Sequence, residues 1–369
     1  MPIRRSIVPA LLLLSALPVH AGDGDGDAMG YRLGRGYALG DSGIRLGGYA
    51  SAVVAAPREL PWSFALKDLS LFVTWEQEHW RFFSETEISN ALSAGQDQSF
   101  GVNEAEVEIE RLYLDYLHDD ALALRFGKFL TPIGRWNLLH AEPVVWTTTR
   151  PVATYLLFAT NDTGLMLHGN VPLLGKRLEY QVYGGLGSAL DPKQPDNPFA
   201  NSVGAHLNLA LTDTLELGLS YANFRLDENH APSGTQPPGG LGYSNITVLY
   251  PVEFPDHDAD QRQNLVGLDA AWSYRRFEVM SEWVFRAGGQ ERFWQGYVQG
   301  VAPLAGTPWY AVGRYEYFQQ EWGPPGQLGV FGLALRPIPP LVWKVEYRLG
   351  SHNEAIAPDG LYGSIAVLF

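Results

Sequence analysis

The chain has 369 residues, no cysteine and a formal net charge of −14, with 40 glycines and 12% aromatic residues. The acidic balance argues against a nucleic-acid partner, because phosphates are held by clustered cations, and the missing cysteines exclude a disulfide framework. After residue 21 no apolar run approaches the roughly 20 residues a membrane helix needs, whereas Gly, Tyr, Trp and Phe spread evenly, which suits many strands and turns.

Residues 1–21, MPIRRSIVPALLLLSALPVHA, read as a signal peptide: a basic start at Arg4 and Arg5, a short apolar stretch, and a small-residue cleavage site. Its removal leaves 24 basic against 40 acidic residues, a net charge of −16. Residues 22–43, rich in Gly and Asp, are expected to be a flexible periplasmic lead-in, and 44–369 to be one β-barrel domain.

From residue 44 the hydrophobic period is two. In 341–349, Leu341, Trp343, Val345, Tyr347 and Leu349 share one strand face, and Lys344, Glu346 and Arg348 share the other. Sixteen such segments follow in order: 44–56, 63–76, 79–91, 104–118, 120–130, 163–171, 178–187, 203–212, 215–226, 264–275, 277–288, 291–303, 308–321, 327–337, 341–350 and 360–369. Their polar faces carry both signs of charge. Their apolar faces place Trp309, Trp343, Tyr347, Phe285 and Phe369 near strand ends, as in the aromatic girdles of a bilayer-spanning barrel. The connections sort by parity. Turns after even strands are short, while 92–103, 131–162, 188–202, 227–263, 322–326 and 351–359 fall after odd ones. That rhythm matches the short periplasmic turns and longer external loops of membrane barrels.

One strand changes face midway. Glu104, Glu106, Glu108 and Glu110 alternate with apolar residues, but Leu112, Leu114 and Tyr116 then continue the glutamate side. A β-bulge near Glu110 and Arg111 would return Arg111, Tyr113 and Asp115 to the inner face.

The stretch 127–136, GKFLTPIGRW, leaves the fifth strand and opens the segment 131–162. Connections this long are usually functional or disordered, and this one is apolar, with Val144, Val145, Trp146 and Leu156–Phe158. Lys128, Arg135, His140, Glu142 and Arg150 are its candidate constriction charges; a loop covering a subunit contact is the alternative. Candidate lumen-lining charges are Arg81, Glu85, Glu87, Glu106, Glu108, Arg111, Arg125, Glu282, Arg286, Arg314, Glu316, Lys344, Glu346 and Arg348. Opposed charges of this kind set ion preference when hydrated, or pair to fill the barrel. The run Asp256-His257-Asp258-Ala259-Asp260 lacks calcium-loop spacing and reads as an external loop near lipopolysaccharide. No metal or cofactor is expected. The eight histidines after the signal, among them His79, His168 and His206, lie near no recognisable nucleophile, so no catalytic residues are assigned.

Signal peptide, loop rhythm and a final strand with Ile365, Val367 and Phe369 on one side resemble a Gram-negative outer-membrane porin. Leu124–Gly134, with Gly, Lys, Phe and then Thr-Pro-Ile-Gly, resembles the strand-to-loop passage of the phosphate-selective porin O/P-like group. The resemblance implies a homotrimer in the outer membrane, an inward-folding loop after strand 5, and recognition of Phe369 by the barrel assembly machinery. The acidic charge departs from the Arg/Lys ladders of phosphate-selective members. The expectation is therefore an all-β transmembrane antiparallel β-barrel of about sixteen strands. It would act as a porin for small hydrophilic solutes or ions, with a barrel hydrolase or a substrate-specific anion or organic-acid channel as alternatives.

Overall fold

A computed structural model describes residues 30–369 apart from 97, 104, 188–198, 227–261, 289–290, 320–322 and 355. The signal peptide at 1–21 and the acidic run 256–260 lie outside the described residues.

Alternation along the chain becomes a closed wall. Among the described residues nineteen strands form one antiparallel sheet; three are only two to four residues long, and the remaining sixteen make the barrel. These are β1 (Ile44–Pro57), β2 (Ser63–Gln77), β3 (Trp80–Gly95), β4 (Glu106–Asp119), β5 (Leu122–Leu130), β6 (Asn161–Leu173), β7 (Lys176–Gly185) and β8 (Phe199–Ala210). They continue as β9 (Leu215–Leu226), β10 (Gln263–Tyr274), β11 (Phe277–Gly288), β12 (Glu291–Pro303), β13 (Trp309–Phe318), β14 (Gly326–Ile338), β15 (Leu341–Ser351) and β16 (Gly360–Leu368). Each pairs with its sequence neighbours, and β16 returns to β1 with Gly360 opposite Pro57 and Leu368 opposite Tyr49. Gly48 and Phe369 exchange both backbone hydrogen bonds, at 2.9 and 2.8 Å. Closure leaves no free edge among these strands, which a bilayer interior demands because backbone groups find no water there.

The period of two decides which side chains go in. On β15, Trp343 is 50% exposed on the outer face, whereas Glu346 is 2% exposed on the inner one. Phe285, Trp309, Tyr347 and Phe369 are likewise exposed outward. The bulge appears where the strand changes face: Arg111 stands opposite Glu85 and Ile109 opposite Thr86, so Glu110 is the extra residue.

Two readings of the sequence need correction. Residues 30–43 are not a loose lead-in: Tyr31–Arg32 and Gly36–Ala38 pair as a small hairpin, and the second of these strands joins β1. Gly34 and Gly36, at φ 76° and 69°, allow the tight reversal. The connection 92–103 is largely strand, because β3 runs on to Gly95 and Gln98–Gly101 folds back upon it.

Candidate functional site

The segment 131–160 crosses the interior. It begins and ends at one place, since Thr131 donates its amide to Thr160 O at 2.7 Å. Its only regular pieces are one helical turn, α1 (Trp136–Leu139), and a 3-10 turn at Val152–Thr154. None of its residues is exposed. Apolar residues account for much of this burial. Ile133, Leu157 and Phe158 pack with Phe199, Phe224 and Leu265 of β8 to β10, while Val152 and Leu156 meet Phe318, Leu328 and Val330 of β13 and β14. Trp136 and Val145 pack on Tyr297 of β12.

Gly134 makes the turn that brings this chain inward. Its φ is 65°, and a Cβ there would lie 2.0 Å from Glu282 Oε2. Glu282 in turn accepts from the Trp136 amide at 2.6 Å and the Tyr297 hydroxyl at 2.8 Å. The Gly134→Ala variant therefore combines backbone strain of about 1–3 kcal/mol with displacement of that carboxylate. Its melting temperature falls and the segment becomes sensitive to added protease; an unaltered melt and cleavage pattern would refute this.

Wall charges bind the segment mainly through its backbone. Glu316 accepts from the Val152 amide at 2.7 Å, and Glu346 accepts from the Thr148 and Thr149 amides at 2.8 and 3.1 Å. Arg314 bonds Glu316 at 2.8 Å and donates to Thr147 Oγ1 at 2.5 Å and Thr149 Oγ1 at 3.0 Å. Lys344 donates to the Glu142 carboxylate at 2.5 Å and to Thr147 O at 3.0 Å. Arg336 holds the carbonyls of Pro143, Val144 and Val145 at 2.8 to 3.3 Å while lying over the Trp146 ring. The charged inner face expected to be hydrated is, on this side, covered by protein. The dipoles of the segment take the place of water around it.

Glu142 sits between Lys344 and Lys67, the latter at 3.2 Å. Burial pushes its carboxyl up, but the two ammonium groups outweigh that and hold it below the usual range. A carboxyl with a lowered folded-state pKa contributes stability that is complete above the ordinary value of about 4 and is lost as pH falls through the lowered one. The tether accordingly persists at pH 5, and Glu142→Gln loosens it at neutral pH. Limited proteolysis across a pH series reads both; wild-type loosening already at pH 5 would contradict the assignment.

The opposite wall is more acidic. Arg81 and Arg125 both bind Asp115, at 2.5 and 2.7 Å, and Arg125 lies 3.7 Å over the Tyr113 ring. Arg111 holds Glu85 at 2.5 Å. His140 meets Glu110 at 2.6 Å. Glu87 is buried beside them, while Glu108 is half-buried and Glu106 exposed farther along β4. A gap of about 30 Å³ remains here, lined by Tyr49, Lys67, Asp68, Glu87, Glu108, Glu110, His140, Glu142 and Asn161. A larger pocket of about 370 Å³ opens at the short-turn end. Its lining includes Trp136, Val145, Trp146, Met280 and Tyr310 together with Arg275, Arg276 and Arg336.

Of the five candidate constriction residues, His140 and Glu142 face the small gap. Arg135 reaches across to Glu216 at 2.8 Å and Asn208 at 2.9 Å. Arg150 bonds within the segment, to Thr154 and Asn137. Lys128 lies in β5, opposite Leu112 and Thr163, and its side chain is fully buried. Arg286 approaches Leu157 O at 3.5 Å, and Arg348 lies 4.9 Å over the Tyr362 ring.

Sequence reasoning missed Lys67, Glu110 and Arg336 as partners of the segment, and Asp68, which pairs with Lys67 at 3.3 Å. Lys67 is a bulge residue without a register partner on either neighbouring strand. The adjacent polar pair Lys67-Asp68 in an otherwise apolar strand was its signal.

No family model matches this chain. Over 140 residues it is 31% identical to a protein of Aquifex aeolicus (strain VF5) described as uncharacterized; the match takes in 37% of this chain and spans about a third, 31%, of that relative's length. Among solved structures the fold resembles OmpF of Salmonella typhi in complex with daunomycin, with a TM-score of 0.59, 11% identity and coverage of 90% of this chain and 99% of that one. It also resembles an anion-selective porin from Comamonas acidovorans, with a TM-score of 0.57, 10% identity and coverage of 88% and 99%. A third is OmpT of Vibrio cholerae, an outer-membrane protein in its trimer form, with a TM-score of 0.54, 9% identity and coverage of 88% and 99%. At these identities the likeness is one of fold: a closed sixteen-strand antiparallel barrel of the outer-membrane type.

Proposed function

We propose that this chain is an outer-membrane porin, exported by its signal peptide and giving small hydrophilic solutes or ions a passive route narrowed by 131–160. The observation that carries this is the tethering of that segment across the interior, to Lys67 of β2 and Ser364 of β16 among others, with an acid-lined gap of about 30 Å³ left beside β1 to β4. Carboxylates at a narrow point favour cations. The barrel would sit among outer-membrane lipid and lipopolysaccharide after insertion by the assembly machinery, as a homotrimer. The trimeric fold neighbour supports that last point.

A second reading is a substrate-specific channel for organic acids. It is favoured by the pocket at the short-turn end, where aromatic side chains and Arg275, Arg276 and Arg336 could hold an apolar anion. Purified protein in a planar bilayer under a salt gradient separates the two. The expected result is stepwise conductance with a cation-side reversal potential. An anion-side reversal supports the second reading, and a sealed barrel with no conductance sinks both.

A further inference from the structure

The bulge on β4 has a chemical consequence. It turns both Glu110 and Arg111 inward, so that Glu110 faces Glu85 and Glu87 of β3. One carboxylate oxygen from each lies within 4.8 Å of the others. Like charges this close repel strongly in a low-dielectric interior, so something must neutralise them.

The protein's own donors do so incompletely. Arg111 contacts Glu85 through Oε2 alone. Glu87 accepts from the hydroxyls of Tyr49 at 2.9 Å, Ser70 at 2.7 Å and Ser89 at 3.1 Å. Three hydroxyl donors aimed at both oxygens suit an ionised carboxylate, which is acceptor-only, yet among the described residues it makes no ion pair. Glu110 is 7% exposed; its Oε1 meets His140, while its Oε2 is buried without a hydrogen-bond partner. A buried anionic oxygen with no donor is costly, and it stands next to a space about the size of one water.

We propose that Glu85, Glu87 and Glu110 form a binding site for one divalent cation, with calcium as the best fit. The donor set is all oxygen, which selects a hard cation. Calcium accepts oxygen ligands in flexible geometry, whereas magnesium demands a near-ideal octahedron and keeps several waters, for which a gap of about 30 Å³ leaves little room. The ion joins β3 to the bulge of β4 and, through Glu110 and His140, to the segment 131–160. The site does not depend on which solute the barrel passes.

The test uses the full folded protein in detergent, stripped with EDTA and titrated with calcium chloride by calorimetry. One saturable calcium per chain is expected, with a rise in melting temperature on binding and weaker binding of magnesium. Glu87→Gln and Glu110→Gln each weaken calcium at least tenfold, while Asp213→Asn, in an exposed turn, leaves it unchanged. Wild-type protein that takes up no calcium at millimolar concentration overturns the proposal whatever the variants do, and means that a shared proton neutralises the carboxylates. Binding that persists unchanged in both glutamine variants also overturns it.

Discussion

Excision of 132–159, with a short glycine-rich turn joining Thr131 to Thr160, raises single-channel conductance several-fold and leaves a folded barrel. The junction is geometrically simple, because Thr131 and Thr160 already share a hydrogen bond and Leu130 pairs with Asn161. Closure between β1 and β16 does not pass through the segment. The wall carboxylates and guanidinium groups lose their protein partners but gain water, so their burial cost disappears with the contacts that offset it. What is lost is the apolar packing of Ile133, Leu157 and Phe158 against β8 to β10. The melting temperature therefore drops, while heat-modifiable migration of the folded barrel on gels persists. Conductance equal to that of wild type would mean that the segment does not limit the path.

Glu346→Ala is the single substitution with the largest expected effect on the segment. The side chain is almost fully buried, and it accepts from two consecutive amides and from Thr149 Oγ1. Truncation leaves those donors without an acceptor, at about 1–3 kcal/mol for each buried group, and it removes a negative charge that acts on Lys344. The stretch Thr147–Thr149 detaches from β15. Channel records should change from steady steps to rapid flicker with a raised mean current. Glu346→Gln keeps one carbonyl acceptor in place and lies between the two. Steady wild-type steps in Glu346→Ala would remove the wall anchors from the account of narrowing.

The wall was legible in the sequence because membrane strands obey a strict period of two. Leu341–Leu349 needed nothing beyond alternation to assign Trp343 outward and Glu346 inward, and the face change at Glu110 located a bulge before any coordinates. Lys67 escaped because a bulge in an otherwise regular strand is betrayed by two adjacent polar residues alone. The anchors of 131–160 could not be read at all. A backbone amide has no sequence signature, and Glu282, Glu316 and Glu346 become its partners only when strands far along the chain curve round to meet it. Burial of the wall charges was invisible for the same reason: alternation says which residues face inward, and nothing about what else is there.

Anchorage through main-chain amides has an evolutionary consequence. Trp136, Thr148, Thr149 and Val152 are gripped at their N–H groups, which almost any residue except proline supplies. Side chains of the segment that make no bond to the wall can therefore drift without unfastening it, while the wall glutamates that do the gripping are held fixed. Substitutions that retune this barrel should accumulate on the crossing segment, and lineages should differ there before they differ in Glu282, Glu316 or Glu346.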